Sequence, residues 1–84
     1  MKIYGYTDEG LAAEDSDPSE LAEITVVAMP EELRSIADFL LLSASRMEEM
    51  GEHFGHLHLA DKQPKFQDSP HFVVFNSNLE GAGT

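Results

Sequence analysis

The longest periodic run of hydrophobic and polar positions lies mid-chain, from residue 30 to residue 52. At 100° per residue, six apolar side chains fall within one arc, as in a helix that buries one face: Leu33, Ile36, Ala37, Leu40, Ala44 and Met47. Pro30 suits the first helical position, where no N–H partner is needed, and Gly51 suits a helix end. The pattern predicts a long amphipathic helix whose arc forms the centre of the core.

Short runs of alternating or β-branched residues on both sides of this helix predict strands. They cover about residues 1–6, 21–28, 56–59 and 71–76. Consecutive strands tend to pair, so we expect an α+β fold with a three- to four-stranded, mainly antiparallel sheet and the helix packed on one face. The outward side chains of the last strand, Val73 and Phe75, would then need cover on the second face.

The remaining segments lack apolar periodicity. Residues 7–20 hold six acidic residues, which predicts a mobile, solvated loop, and residues 77–84 predict a flexible tail. A cation site made from Glu14, Asp15 and Asp17 is the alternative for the loop, but the spacing of a helix–loop–helix calcium site is absent. The length of 84 residues predicts one domain over residues 1–84.

The charge balance narrows the class of partner. Sixteen acidic and five basic residues give a net charge of −11, which disfavours nucleic acid and anionic membranes and favours a basic partner. No apolar run approaches a membrane span, and the N-terminus lacks the features of a signal peptide, so we expect a cytoplasmic protein. Without cysteine there is no disulfide, and neither a phosphate-binding loop nor a nucleophile elbow is present, so we predict a non-catalytic protein.

Four histidines carry the most suggestive chemistry: His53, His56, His58 and His71. His56 and His58 are two positions apart, so in a strand both imidazoles project from one face, where Asp61 or His71 would add a third metal ligand. The other interpretation, which the sequence favours, is a short edge strand whose histidines make hydrogen bonds. The predicted cofactor is therefore none, with zinc or nickel only as adventitious ligands.

The outer side of the predicted helix offers two contact surfaces. One is acidic and consists of Glu31, Asp38, Glu49 and Glu52, with Leu42 among them; a solvated face is the simpler interpretation. The other is an apolar patch of Phe39, Leu42 and Met50 around Arg46, which predicts a homodimer or partner contact.

The sequence also resembles a known family. The stretch TVVAMPEELRSIADFLLLSASRMEEMGEHFGHLHLAD, followed after a short gap by SPHFVVFN, is similar to immunity family thirty-two of the bacterial polymorphic toxin systems. It departs from the expected pattern at Met29, where a threonine cap is expected. The resemblance implies a cytoplasmic α+β protein that neutralises a toxin domain by binding it.

If the resemblance holds, it implies occlusion rather than chemistry, with the acidic surface covering a basic site on a cognate toxin domain. The alternatives are a homodimeric metal-binding module built on the four histidines and a plain homodimeric accessory protein.

Overall fold

The computed structural model describes residues 1–13 and 17–77 and shows an α+β protein with one long helix. In chain order the elements are β1 (Tyr4–Gly5), α1 (Asp8–Ala12), β2 (Ser19–Glu20), α2 (Pro30–Met50), β3 (His56–His58), α3 (Leu59–Lys62) and β4 (Val73–Phe75). Two short 3-10 helices, Gly51–His53 and Pro64–Phe66, lie on either side of β3 and α3.

Helix α2 begins at Pro30, as the sequence predicts, and ends at Met50, two residues before the predicted end. Pro30 is its first residue, and the N–H of Met29 donates to Oε1 of Glu32 at 2.8 Å, which satisfies the backbone just before the helix. Gly51 follows the last residue with a φ of 55°. A side chain is strained in this left-handed region, so glycine is the residue that permits the chain to leave the helix here.

The predicted buried face of α2 is wrong by about one residue position, or roughly 100° of rotation. Phe39, 1% exposed, and Ser43 are the buried residues of the helix. Of the predicted arc, Ile36 and Met47 are half-buried, whereas four residues are exposed: Leu33, Ala37, Leu40 and Ala44. The helix carries two neighbouring apolar arcs, and the rest of the fold covers the one that contains the large aromatic ring.

The predicted single sheet is also wrong, because the described residues form two separate two-stranded antiparallel sheets. In one, Tyr4 lies opposite Glu20; in the other, His56 lies opposite Phe75 and His58 opposite Val73. No strand occurs over the predicted range 21–28.

The acidic segment before this range also differs from the prediction. Instead of continuous loop, residues 8–12 form the short helix α1, whose first turn is capped by the Oγ1 of Thr7, which accepts from the N–H of Gly10 at 3.0 Å. Two ligands of the cation site considered above, Glu14 and Asp15, lie outside the described residues, as does the tail from residue 78.

The core joins α2 to the second half of the chain. Phe39, Leu59 and Phe66 form its centre. The inward side chains of the β3–β4 sheet and its approach pack against this cluster: Leu57, Phe72 and Val74. The rings of Phe39 and Phe72 meet edge to face with their centroids 6.2 Å apart, a favourable geometry for two aromatic rings.

A second link comes from Asn76, the residue after β4, which is completely buried. Its Nδ2 donates to the carbonyl oxygens of Phe54 at 2.8 Å and Gly51 at 3.0 Å. Its backbone N–H donates to the carbonyl of Gly55 at 2.9 Å. One amide therefore holds the connection between α2 and β3 against the end of β4.

We expect Phe39→Ala to reduce the free energy of unfolding by about 3–5 kcal/mol, because it removes the centre of the core. Leu40→Ala, at a position 44% exposed, should cost less than about 1 kcal/mol. Urea unfolding followed by circular dichroism measures both. A larger loss for Leu40→Ala would contradict the observed rotation of α2.

We expect Asn76→Asp to cost more than about 2 kcal/mol at neutral pH, since a buried carboxylate would face two carbonyl oxygens in place of the amide donor. Gln67→Glu is the matched control, because it makes the same chemical change at an exposed position and should stay within about 0.5 kcal/mol. Equal unfolding midpoints in urea for the two variants would contradict the assigned role of Asn76.

Candidate partner-binding surface

Three of the predicted partner-binding carboxylates lie along one line of α2. Glu31, Asp38 and Glu49 are exposed, and their spacing puts them within about 20° of one another over about 27 Å of helix. Glu52, also exposed, follows in the 3-10 turn. We call these four residues the acidic line. None of the four makes an ion pair with a residue in the described part of the chain. No cation of that part therefore neutralises their negative charge by direct contact.

The apolar residues predicted around this line divide between surface and core. Leu42 lies on the same side of α2 and is half-buried, and Met50 is exposed. The predicted contact role of Phe39 is wrong, because its side chain is 1% exposed and lies in the core. It is not available to a partner in this conformation. A contact surface on this side would therefore use Leu42 and Met50 without Phe39, and its role in dimerisation stays a prediction.

A shallow pocket next to Met50 was not predicted from the sequence. It is lined by Arg46 from α2, by Phe54 and His56, and by Lys62 from α3. Two of the five cations of the chain therefore line one depression on an otherwise acidic protein. No sequence signal could have indicated it, because its residues come from separate elements that only the tertiary packing brings together.

His56 and His58 lie in β3, where the strand pattern predicts them, whereas His53 lies in the preceding 3-10 turn and His71 lies before β4. The rings of His56 and His58 are neighbours, with centroids 5.1 Å apart, and His56 stacks on Phe75 at 5.9 Å. His58, His71 and Asp61 line the same open groove. Among residues 1–13 and 17–77, however, no group of three or more histidine, aspartate or glutamate side chains is positioned to hold a metal ion.

Two further groups of apolar side chains are exposed, one on α2 and one in the stretch that precedes it. One is the predicted core arc of α2, from Leu33 to Leu40, together with Leu41. The other is the stretch that precedes the helix, where Ile24 and Val26 are exposed and Val27 is 95% exposed. Contiguous exposed apolar residues of this kind often mark an interaction surface.

These features define a small acidic α+β protein with an exposed acidic line and exposed apolar side chains. In the described part of the chain, no helix combines the length and the hydropathy that crossing a membrane requires. The sequence matches the model of the family Immunity protein 32 over residues 23–78, and the chain belongs to that family. The match covers α2, β3 and β4 and confirms the resemblance drawn from the sequence. No curated protein and no solved structure matches the chain in the corresponding comparisons.

We expect added zinc or nickel to leave the melting temperature of chelator-treated protein unchanged, because no described group offers three ligands. A native site filled at a hundred times its dissociation constant would add about 2.7 kcal/mol, which corresponds to a rise of roughly 10 °C or more in a domain of this size. Differential scanning fluorimetry makes the measurement. A rise of that size in wild-type protein that is absent in His58→Ala would restore the predicted histidine site.

Proposed function

We propose that the chain is an immunity protein that binds a cognate toxin domain and occludes its active site without catalysis of its own. The observation that carries the proposal is membership of the Immunity protein 32 family over residues 23–78. Inhibition by occlusion requires a surface that is complementary to the toxin, and it requires no reactive group on the inhibitor.

The charge distribution supports a basic toxin site as the target. The net charge is −11, and the acidic line presents carboxylates over about 27 Å of α2. A field of this sign raises the rate of encounter with a basic surface, and it disfavours other acidic chains as partners. Toxins that act on nucleic acid need a basic cleft, which is the kind of site that such a surface would cover.

Size supports occlusion as well. A standard protein–protein interface buries roughly 800 Å² on each partner, and the accessible surface of the described chain is 6824 Å². A standard interface would therefore use about one eighth of this surface, so the chain is large enough to present one such interface. Leu42, half-buried beside the carboxylates, would supply an apolar contact within such an interface.

The proposal is tested by capture followed by a growth assay. The tagged chain is recovered from its own bacterium at moderate salt, and the proteins that accompany it are identified by mass spectrometry. We expect a basic toxin domain in stoichiometric amount, and we expect induction of that domain alone to stop growth while induction with this chain restores it. A recovered toxin domain that still stops growth when the chain is bound would contradict occlusion.

We expect reversal of charge on the acidic line to slow association with the toxin domain. Glu49→Lys combined with Glu52→Lys should lower the association rate constant by about tenfold at low salt and weaken its salt dependence. Asp61→Lys combined with Asp68→Lys is the matched control, because it changes the net charge equally at exposed positions that lie outside α2 and outside the acidic N-terminal part of the chain. Surface plasmon resonance at several salt concentrations measures the rates, and equal effects of the two double variants would contradict a role for the acidic line.

A further inference from the structure

The stretch between β2 and α2 has the composition of a strand but no strand partner. We call residues 23–29 the open segment; it contains no turn, bend or helical residue. Its apolar side chains Ile24, Val26 and Val27 are exposed. Neither the N–H nor the carbonyl groups from Ala22 to Ala28 hydrogen-bond to a described residue.

Such a segment is suited to strand addition. β-branched residues favour the extended backbone, and unpaired N–H and carbonyl groups along it are a template for another strand. In recognition by strand addition, backbone hydrogen bonds supply affinity, and alternate side chains supply specificity. The segment is as long as a typical strand, with Glu23 at one end and Pro30, which has no N–H to donate, just beyond the other.

The charge around the open segment decides which kind of strand it would accept. Between Lys2 and Arg34 the sequence has nine acidic residues and no lysine or arginine. A second copy of the chain would bring the same nine carboxylates alongside, and two copies would combine a charge of −11 each. A strand that carries lysine or arginine would instead be attracted from both ends of the segment.

We propose that the open segment is the edge to which a basic strand of the toxin domain adds, so that the complex is held by backbone pairing as well as by the acidic line. This inference rests on the proposed function for the source of the basic strand. The pairing itself requires only the free backbone and the acidic flanks, so it can be tested without the toxin.

Hydrogen exchange of the free chain is the first measurement. The amides from Ile24 to Ala28 should exchange close to the rate of unstructured backbone, because the described chain offers them no acceptor. The amide of Asn76, which donates to the carbonyl of Gly55, is the internal control and should be protected. Strong protection of the open segment in the free chain, from pairing within the chain or with a second copy, would overturn the proposal.

A synthetic peptide of about eight residues, in which lysine alternates with valine, is the probe for the basic strand. Its titration should slow exchange of the amides in the open segment, whereas a peptide in which glutamate replaces lysine should not. Protection by both peptides would show pairing without regard to charge and would overturn the assigned partner. Protection by neither would overturn the docking edge.

Proline substitutions then show whether backbone pairing carries the binding. Alternate N–H groups of a strand point to opposite edges, so Ile24→Pro with Val26→Pro blocks one edge and Thr25→Pro with Val27→Pro blocks the other. One pair should reduce affinity for the lysine peptide at least about tenfold, and the other should have little effect. Both pairs should keep the wild-type unfolding midpoint, because these amides have no described acceptor. Equal binding by both double variants would overturn the proposal.

The same two double variants separate this inference from the proposed function. If they protect cells from the toxin domain and bind it as tightly as wild-type protein, the immunity function stands and strand addition fails. If the lysine peptide binds the open segment with the expected proline pattern but wild-type protein does not protect cells, strand addition stands and the immunity function fails.

Discussion

The packing of Phe39 against the second half of the chain is the contact on which the rest of the structure depends. Phe39, Leu59 and Phe66 form the core cluster, and Phe72 meets Phe39 edge to face. These contacts hold α2 against α3 and against the inward side chains of the β3–β4 sheet, and so determine which sides of the helix reach solvent. Asn76 adds a polar link, because its amide holds the connection between α2 and β3 from the end of β4. The aromatic packing and the two hydrogen bonds donated by the Asn76 side-chain amide together stabilise a fold that has only a small core.

That orientation divides the surface of α2 into three sides with different properties. The side of Phe39 and Ser43 is buried, the acidic line lies to one flank, and the exposed apolar arc of Leu33 and Leu40 lies to the other. The open segment leads directly into this helix. Charge and uncovered apolar surface therefore occur on different sides of the same element, which is suited to a protein that attracts a partner over distance and holds it by short-range contacts.

Family membership gives these surfaces their interpretation. The family match begins at residue 23 and ends at residue 78, so it includes the open segment together with α2, β3 and β4. It leaves out β1, α1, β2 and the whole acidic stretch of residues 7–20. Of the histidines in the match, His56 stacks on Phe75 and meets His58 edge to face, and the described residues contain no group of three or more side chains positioned to hold a metal ion.

The sequence by itself determined the long helix with its start and approximate end, the β3 and β4 strands, the inward and outward sides of those strands, and the family. Each depends on local signals: apolar spacing, Pro30 and Gly51 at the helix ends, and alternation along a strand. Only the tertiary structure decided which side of α2 is buried. The arc of Leu33 and Leu40 and the neighbouring arc of Phe39 both offer large apolar side chains, with Ile36 between them, and the choice depends on which side chain Phe72 and Leu59 enclose. The open segment was predicted wrongly as a strand for the same reason, because pairing is decided by tertiary structure. Its β-branched residues predict a strand, but a strand needs a paired neighbour, and whether that neighbour exists is a property of the assembled fold and not of the segment.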